Sequence, residues 1–287
     1  MMSVQPQNPR DVFRVFCRSV TAFGTGLALF AGVSHPAFAA PLASHRAVYD
    51  LHFGQSASEK GPASARGRIV FETRGDACVG YSIKFRQITE VTPSEGSPRS
   101  ADVSSSTFEN AAGTVLQYKI ETKANDVSTG ITEGKAETSP GGVSIGFLKP
   151  SPKKIDLGLN VTFPVQQTIK TLAAAQKGER VLELKTYDGS DGGDKVYHTL
   201  QIISAPLTKP AADLTAKIPA MKTMKRWRVV ASNFDLKNTD APPLYVLKFE
   251  MWENGISSNV SIDYGTFTLI GTMSKLDVFP AKPCNKP

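Results

Sequence analysis

Residues 163–204 read FPVQQTIKTLAAAQKGERVLELKTYDGSDGGDKVYHTLQIIS, the one convincing helix of the chain followed by its clearest β-hairpin. Pro164 suits the first helical position, where an N–H has no partner within the helix. Val165, Ile169, Leu172 and Ala173 recur at i, i+4, i+7 and i+8 and make one apolar stripe. Ala173, Ala174 and Ala175 are the best helix formers. Gly178 can take the left-handed conformation just past the end, and Lys177 suits the negative pole of the last turn. Gln167, Lys170 and Thr171, with Gln176 or Lys177, fall on the opposite face, so one side is made to be covered. Such a helix either plugs a β core or lines a ligand cavity.

Outward from this stretch the chain alternates apolar and polar residues as strands do. His45 to Phe53 places Ala47, Tyr49, Leu51 and Phe53 on one face. In Val79 to Val91, Tyr81, Ile83 and Phe85 face one way and Ser82, Lys84 and Arg86 the other. The same pattern marks strands over 66–73, 102–109, 114–122, 131–138, 142–148, 180–187, 195–203, 225–234, 244–252, 256–263 and 265–276. Asn110 to Gly113 and Asn254-Gly255 read as turns, because Asn and Gly tolerate the positive φ that tight hairpins need. Asp188 to Asp194 reads as an acidic, glycine-rich hairpin turn. So many strands force a sheet to curl, close or split. The expected fold is all-β with one main helix: a large curved sheet, barrel or spiral, wrapped around that amphipathic helix.

The N-terminus reads as a targeting signal. Arg10, Arg14 and Arg18 precede the apolar run Val20 to Val33, which is too short to span a bilayer. Ala37-Phe38-Ala39 is a small-x-small cleavage site, so residues 1–39 are expected to be removed and 40–287 to form one exported, periplasmic domain. No other stretch is apolar enough to span a membrane. Cys17 leaves with the signal, and Cys78 and Cys284 remain. In an oxidising compartment that pair suggests a disulfide. A redox-active pair is the alternative, though no Cys-x-x-Cys is present. Losing three Arg and one Asp leaves 30 basic and 25 acidic residues, a dispersed net +5. No Lys/Arg block forms a nucleic-acid footprint.

No constellation carries recognisable chemistry. Gly142-Val143-Ser144-Ile145-Gly146 matches the hydrolase elbow pattern, but that motif needs a strand–turn–helix setting, and here it lies within an alternating run. His45, His52 and His198 are the histidines beyond the signal, and nothing marks any of them as a base. Asp188 to Asp194 lacks the ligand alternation and the terminal Glu of a calcium loop. No zinc spacing, phosphate loop or dinucleotide fingerprint occurs. Trp227 and Trp252 sit in alternating strands and read as packing residues. No catalytic residue, metal or cofactor is expected.

An ordered set of short motifs does carry a resemblance. It comprises His45-Arg46-Ala47-Val48-Tyr49, Cys78-x-Gly80-Tyr81, Phe163-Pro164 opening a helix, and Tyr187-Asp188-Gly189-Ser190 with Lys195-Val196-Tyr197. It continues with Asn233-Phe234-Asp235, Glu253-Asn254-Gly255-Ile256 and Asp263-Tyr264-Gly265. Together these resemble the EipB family of alphaproteobacterial periplasmic proteins of cell-envelope integrity, over nearly all of residues 40–287. The resemblance implies a β-spiral, or broken barrel, around a helix. It implies a disulfide between an early and a C-terminal cysteine, at the positions of Cys78 and Cys284. It also implies a non-enzymatic role in keeping the envelope intact under stress, through an unidentified envelope protein partner or other envelope contacts. The alternative reading is a carrier of lipid or another apolar ligand, since an incomplete barrel can hold an acyl chain.

Overall fold

The computed structural model describes residues 42–56, 61–238 and 240–281. The expected signal segment and Cys284 lie outside the described residues. Ahead of the helix come β1 (His45–Ser56), β2 (Ser64–Asp76), β3 (Gly80–Thr92), β4 (Arg99–Asn110), β5 (Val115–Ala124), β6 (Val127–Ser139), β7 (Gly142–Lys149), β8 (Lys153–Gly158) and β9 (Val161–Thr162). Helix α1 (Pro164–Lys177) follows, then β10 (Val181–Thr186), β11 (Tyr197–Ile203), β12 (Arg226–Asp235), β13 (Tyr245–Trp252), β14 (Ser257–Asp263) and β15 (Phe267–Val278).

All of these strands belong to one sheet. From β1 the ladder runs through β2 to β8 in one direction, and through β15 back to β9 in the other. The first and last strands are therefore neighbours at its centre, with His45 opposite Val278 and Leu51 opposite Gly271. The two sheet edges, β8 and β9, are consecutive in the chain and separated by Leu159 and Asn160. Pairing is antiparallel except between β9 and β10. The result is a nearly closed barrel, as expected for a curved sheet around one helix.

Alternation decides which way each side chain points, and register lines the inward residues up. Ala47 stands opposite Phe71, Phe71 opposite Phe85, and Phe85 opposite Ser105. Outward neighbours on the same strands carry charges that pair across the ladder. Arg68 meets Asp50 at 2.7 Å and Arg86 meets Asp102 at 2.8 Å. These pairs are solvated and contribute little stability, but they keep the outer face polar.

Helix α1 begins at Pro164 and ends at Gly178, which has φ of 80°. The Gly178 and Glu179 N–H groups donate to Ala175 and Ala174 carbonyls at 3.1 and 2.9 Å, a Schellman closure. Leu172, Ala174 and Ala175 pack with Ile203, Trp227, Val229 and Met251 on the inner wall. The polar face departs from expectation. Lys170 is exposed, but Thr171 is buried and its hydroxyl lies 2.7 Å from both the Gln167 carbonyl and Gln201 Oε1. The helix lies inside the curl, so its polar side faces protein too.

Strands β8 and β9 lie where the sequence reads as loop. Pro150 and Pro152 both precede β8, and an edge strand tolerates nearby prolines because one side of its ladder is unpaired. The Asp188 to Asp194 stretch is not a tight hairpin turn. It is a loop between β10 and β11 with a short 3-10 turn at Asp191–Gly193, tucked inward.

Candidate ligand chamber

The curl encloses a cavity of about 530 Å³. One wall is apolar and comes from β1–β3 and β13–β14, with Ile69, Phe71, Phe85, Leu247, Phe249 and Ile262 among its lining. The opposite wall is polar. Helix α1 contributes Gln167, Thr168 and Thr171, and β10–β12 contribute Thr186, Gln201 and Asn233. The polarity follows the strand order: inward positions change from Leu247 and Phe249 on β13, through Ala231 and Asn233 on β12, to Thr199 and Gln201 on β11.

The polar wall is bonded internally. Thr186 and Thr199 hydroxyls lie 2.8 Å apart, and Thr199 donates to Asn233 Oδ1 at 2.9 Å. Asn233 Nδ2 donates to the Ala231 carbonyl at 3.3 Å. Between β5 and the β10–β11 loop, the Tyr187 and Tyr118 hydroxyls lie 2.8 Å apart, and Tyr187 donates to the Gly193 carbonyl at 2.7 Å. Glu109, at the end of β4, takes the Val165 and Gln166 N–H groups at 2.7 and 2.9 Å. A carboxylate from β4 thus satisfies two of the unpaired donors of α1 and sits at its positive pole. Side chains, not a ladder, close the curl here.

Burial dominates the electrostatics. The Asp188 carboxyl is pushed up by burial, against bonds from the Ser190 hydroxyl and N–H, with nearby Asp191 adding to the rise. Asp188 is half-buried by exposed area because the remainder faces the chamber. Burial raises the Tyr49, Tyr187, Tyr197 and Tyr245 phenols, so all keep their protons at neutral pH. His45 is held below the ordinary histidine value by burial, although its Nδ1 lies 2.8 Å from the Ala43 carbonyl. Burial pushes Glu109 up to about 7, with the Val165 and Gln166 N–H groups and Lys170 pulling the other way.

A family model described as EipB-like matches residues 36–280. This chain belongs to the EipB-like family. The cell envelope integrity protein EipB of Brucella abortus (strain 2308) is 30% identical over 251 residues, covering 87% of this chain and 89% of that protein. A crystal structure of a β-barrel-like protein of a domain of unknown function, also from Brucella abortus, superposes with a TM-score of 0.77 at 28% identity. That match covers 83% of this chain and 99% of the other.

Of the motif residues read from the EipB-like pattern, His45, Tyr49, Pro164, Tyr187 and Asp188 line the chamber, as do Gly255 and Tyr264. The others shape turns. A Cβ at Gly189 would stand 2.5 Å from the Tyr118 ring, so only glycine fits there. Asn254 Oδ1 takes the Ile256 N–H at 3.1 Å, and Asp263 Oδ1 takes the Gly265 N–H at 2.8 Å, both Asx turns. Cys78 lies in the β2–β3 turn. Ser144 is exposed on β7, mid-ladder between Glu137 and Asp156, with no elbow. Among the described residues no group of three or more His, Cys, Asp or Glu is placed to hold a metal. No helix among them is long and apolar enough to cross a membrane.

The sequence reading did not single out Glu109, Tyr118 or Gln201, and named Asn233 only within a motif. Glu109, Gln201 and Asn233 sit at inward positions of strands, where a polar residue is out of pattern, whereas Tyr118 keeps the alternation of Leu116 and Ile120. That irregularity is the signal those three offered.

Proposed function

We propose that this protein is exported to the periplasm and supports cell-envelope integrity, without catalysis, by holding a lipid or other apolar molecule in the chamber. The observation that carries the reading is the cavity of about 530 Å³ with one apolar wall. Its size falls within the roughly 300–1,000 Å³ of small-molecule sites. The envelope role is supported by the name of the Brucella relative and by family membership. The test is complementation of a deletion strain of the native host. Wild-type protein should restore resistance to bile-salt detergent. Ala231→Phe, which fills the chamber from β12 without touching the outer face, should not. Full rescue by Ala231→Phe would move the function to contacts with an envelope protein on the outer surface. That second reading keeps the same envelope role.

We also propose a Cys78–Cys284 disulfide. The Phe279 N–H donates to the Ser44 carbonyl at 2.8 Å, and the Arg74 guanidinium lies 3.2 Å from the centre of the Phe279 ring. These contacts lead the chain end toward the β2–β3 turn, which supports the pairing. Two titratable thiols in unreduced mature protein would sink it.

A further inference from the structure

The carrier reading leaves open what kind of molecule the chamber selects, and the inference below rests on that reading. A cavity of about 530 Å³ is far larger than the space one water needs. That is room for at least one acyl chain with a small head group.

The lining decides the head group. Among the described lining residues there is no Lys or Arg. Apart from the tyrosines, the ionisable groups that face the chamber are His45 and Asp188. A carboxylate or phosphate placed inside would lose its water without gaining a counter-charge, which is strongly unfavourable. Near Asp188 it would meet either a like charge or another acid. A cation fares little better. Burial works against an ionised Asp188, and the Ser190 N–H, at 2.9 Å, already occupies its Oδ1.

Uncharged polar groups are well served. Gln201 is 2% exposed and its Oε1 faces the Thr171 hydroxyl at 2.7 Å, which leaves its amide hydrogens as the donors for a ligand. Asn233 is 5% exposed, its Oδ1 takes Thr199, and one amide hydrogen is engaged by Ala231. Gln167 and Thr168 face the same space from α1.

We propose that the chamber binds a single-chain amphiphile with an uncharged, hydrogen-bonding head group, seated on the Thr171–Gln201–Asn233 wall, and that it discriminates against anionic head groups. The apolar wall takes the chain, and the carboxamide wall takes hydroxyl or ester groups.

The test uses delipidated mature protein and three ligands with the same chain length, each below its micelle threshold at pH 7.5. These are monododecanoylglycerol, dodecanoate and dodecyltrimethylammonium, with Kd read by calorimetry. The neutral ligand should bind about tenfold or more tighter than either ion, a difference of about 1.4 kcal/mol. Asp188→Asn should narrow the gap by improving dodecanoate, and Gln201→Leu should weaken the neutral ligand about fivefold or more. Should a variant fail to fold, the wild-type ranking decides alone. Dodecanoate equal to or tighter than the neutral ligand overturns the head-group assignment while leaving a carrier. Tightest binding by the ammonium overturns it as well, in favour of a site read by Asp188. Binding of none of the three overturns both the assignment and the carrier reading.

Discussion

At the scale of single residues, Glu109 carries the most unusual environment. Its carboxyl joins β4 to the start of α1 through the Val165 and Gln166 N–H groups, from a position only 1% exposed. Glu109→Ala leaves those donors unpaired and should destabilise by about 2–3 kcal/mol. Urea unfolding of both proteins measures it. The pH dependence has a definite sign. The folded carboxyl titrates at about 7 and an ordinary one at 4.5, so between those values the folded state holds the extra proton. Stability contributed by this group is therefore highest below pH 4.5 and falls as pH rises through 7. At about 1.4 kcal/mol per pH unit the fall approaches 3 kcal/mol. Glu109→Gln should remove that slope, read as the difference between the two proteins' unfolding free energies from pH 5 to 8.

Two glycines make a matched pair at the same scale. Gly189 and Gly265 have φ of 82° and 81°. Gly189 faces the Tyr118 ring, whereas a Cβ at Gly265 would meet nothing within 4 Å. Gly265→Ala should cost about 1 kcal/mol for its backbone alone. Gly189→Ala should cost about 3 kcal/mol, because the Tyr118–Tyr187 contact must also shift. Equal melting-temperature losses would show that the tyrosine contact gives way at little cost.

At the scale of elements, α1 is held from both sides. Its apolar side sits on β11–β13 through Leu172 and Ala175. Its polar side is tied by Thr171 to Gln201. Thr171→Val keeps the shape and removes the hydroxyl, leaving a buried carboxamide oxygen unpaired. The expected loss is about 1–3 kcal/mol, and the Thr171→Val/Gln201→Leu double variant should recover part of it, because no orphaned acceptor remains. A double variant as unstable as the sum of the singles would show that the two side chains act independently. The Gly178 closure of this helix and the Asn110–Gly113 turn were legible in sequence because they depend on residues close in the chain. Strand β8 was not, because its pairing partner β7 decides it, and its own six residues, Lys153–Gly158, carry only Ile155 and Leu157 in alternation.

At the scale of the whole molecule, the curl is held at three places. The β1–β15 ladder joins the first and last strands, Glu109 and Tyr118 tie β4 and β5 to α1 and to Tyr187, and the proposed Cys78–Cys284 bond secures the C-terminal tail. A cross-link closing so long a loop is worth about 5 kcal/mol in the chain-entropy account. Cys78→Ser and Cys284→Ser should therefore lower the melting temperature equally, and the double variant should fall no further than either single. Additive losses would argue against a bond between these two residues.

Sequence by itself determined the period of the strands, the bounds and cap of the helix, the inward face of β1 and β3, and the family. Each depends on neighbours within a few residues, or on ordered motifs that survive as short strings. Only the tertiary structure decided that β1 lies beside β15, that Thr171 faces protein and not water, that Glu109 reaches the start of α1, and that Gln201 and Asn233 share one chamber wall. Alternation says which residues share a face. It does not say what stands opposite that face, because the opposing residues come from strands far apart in the chain, and the curvature that brings them together is a property of the whole sheet.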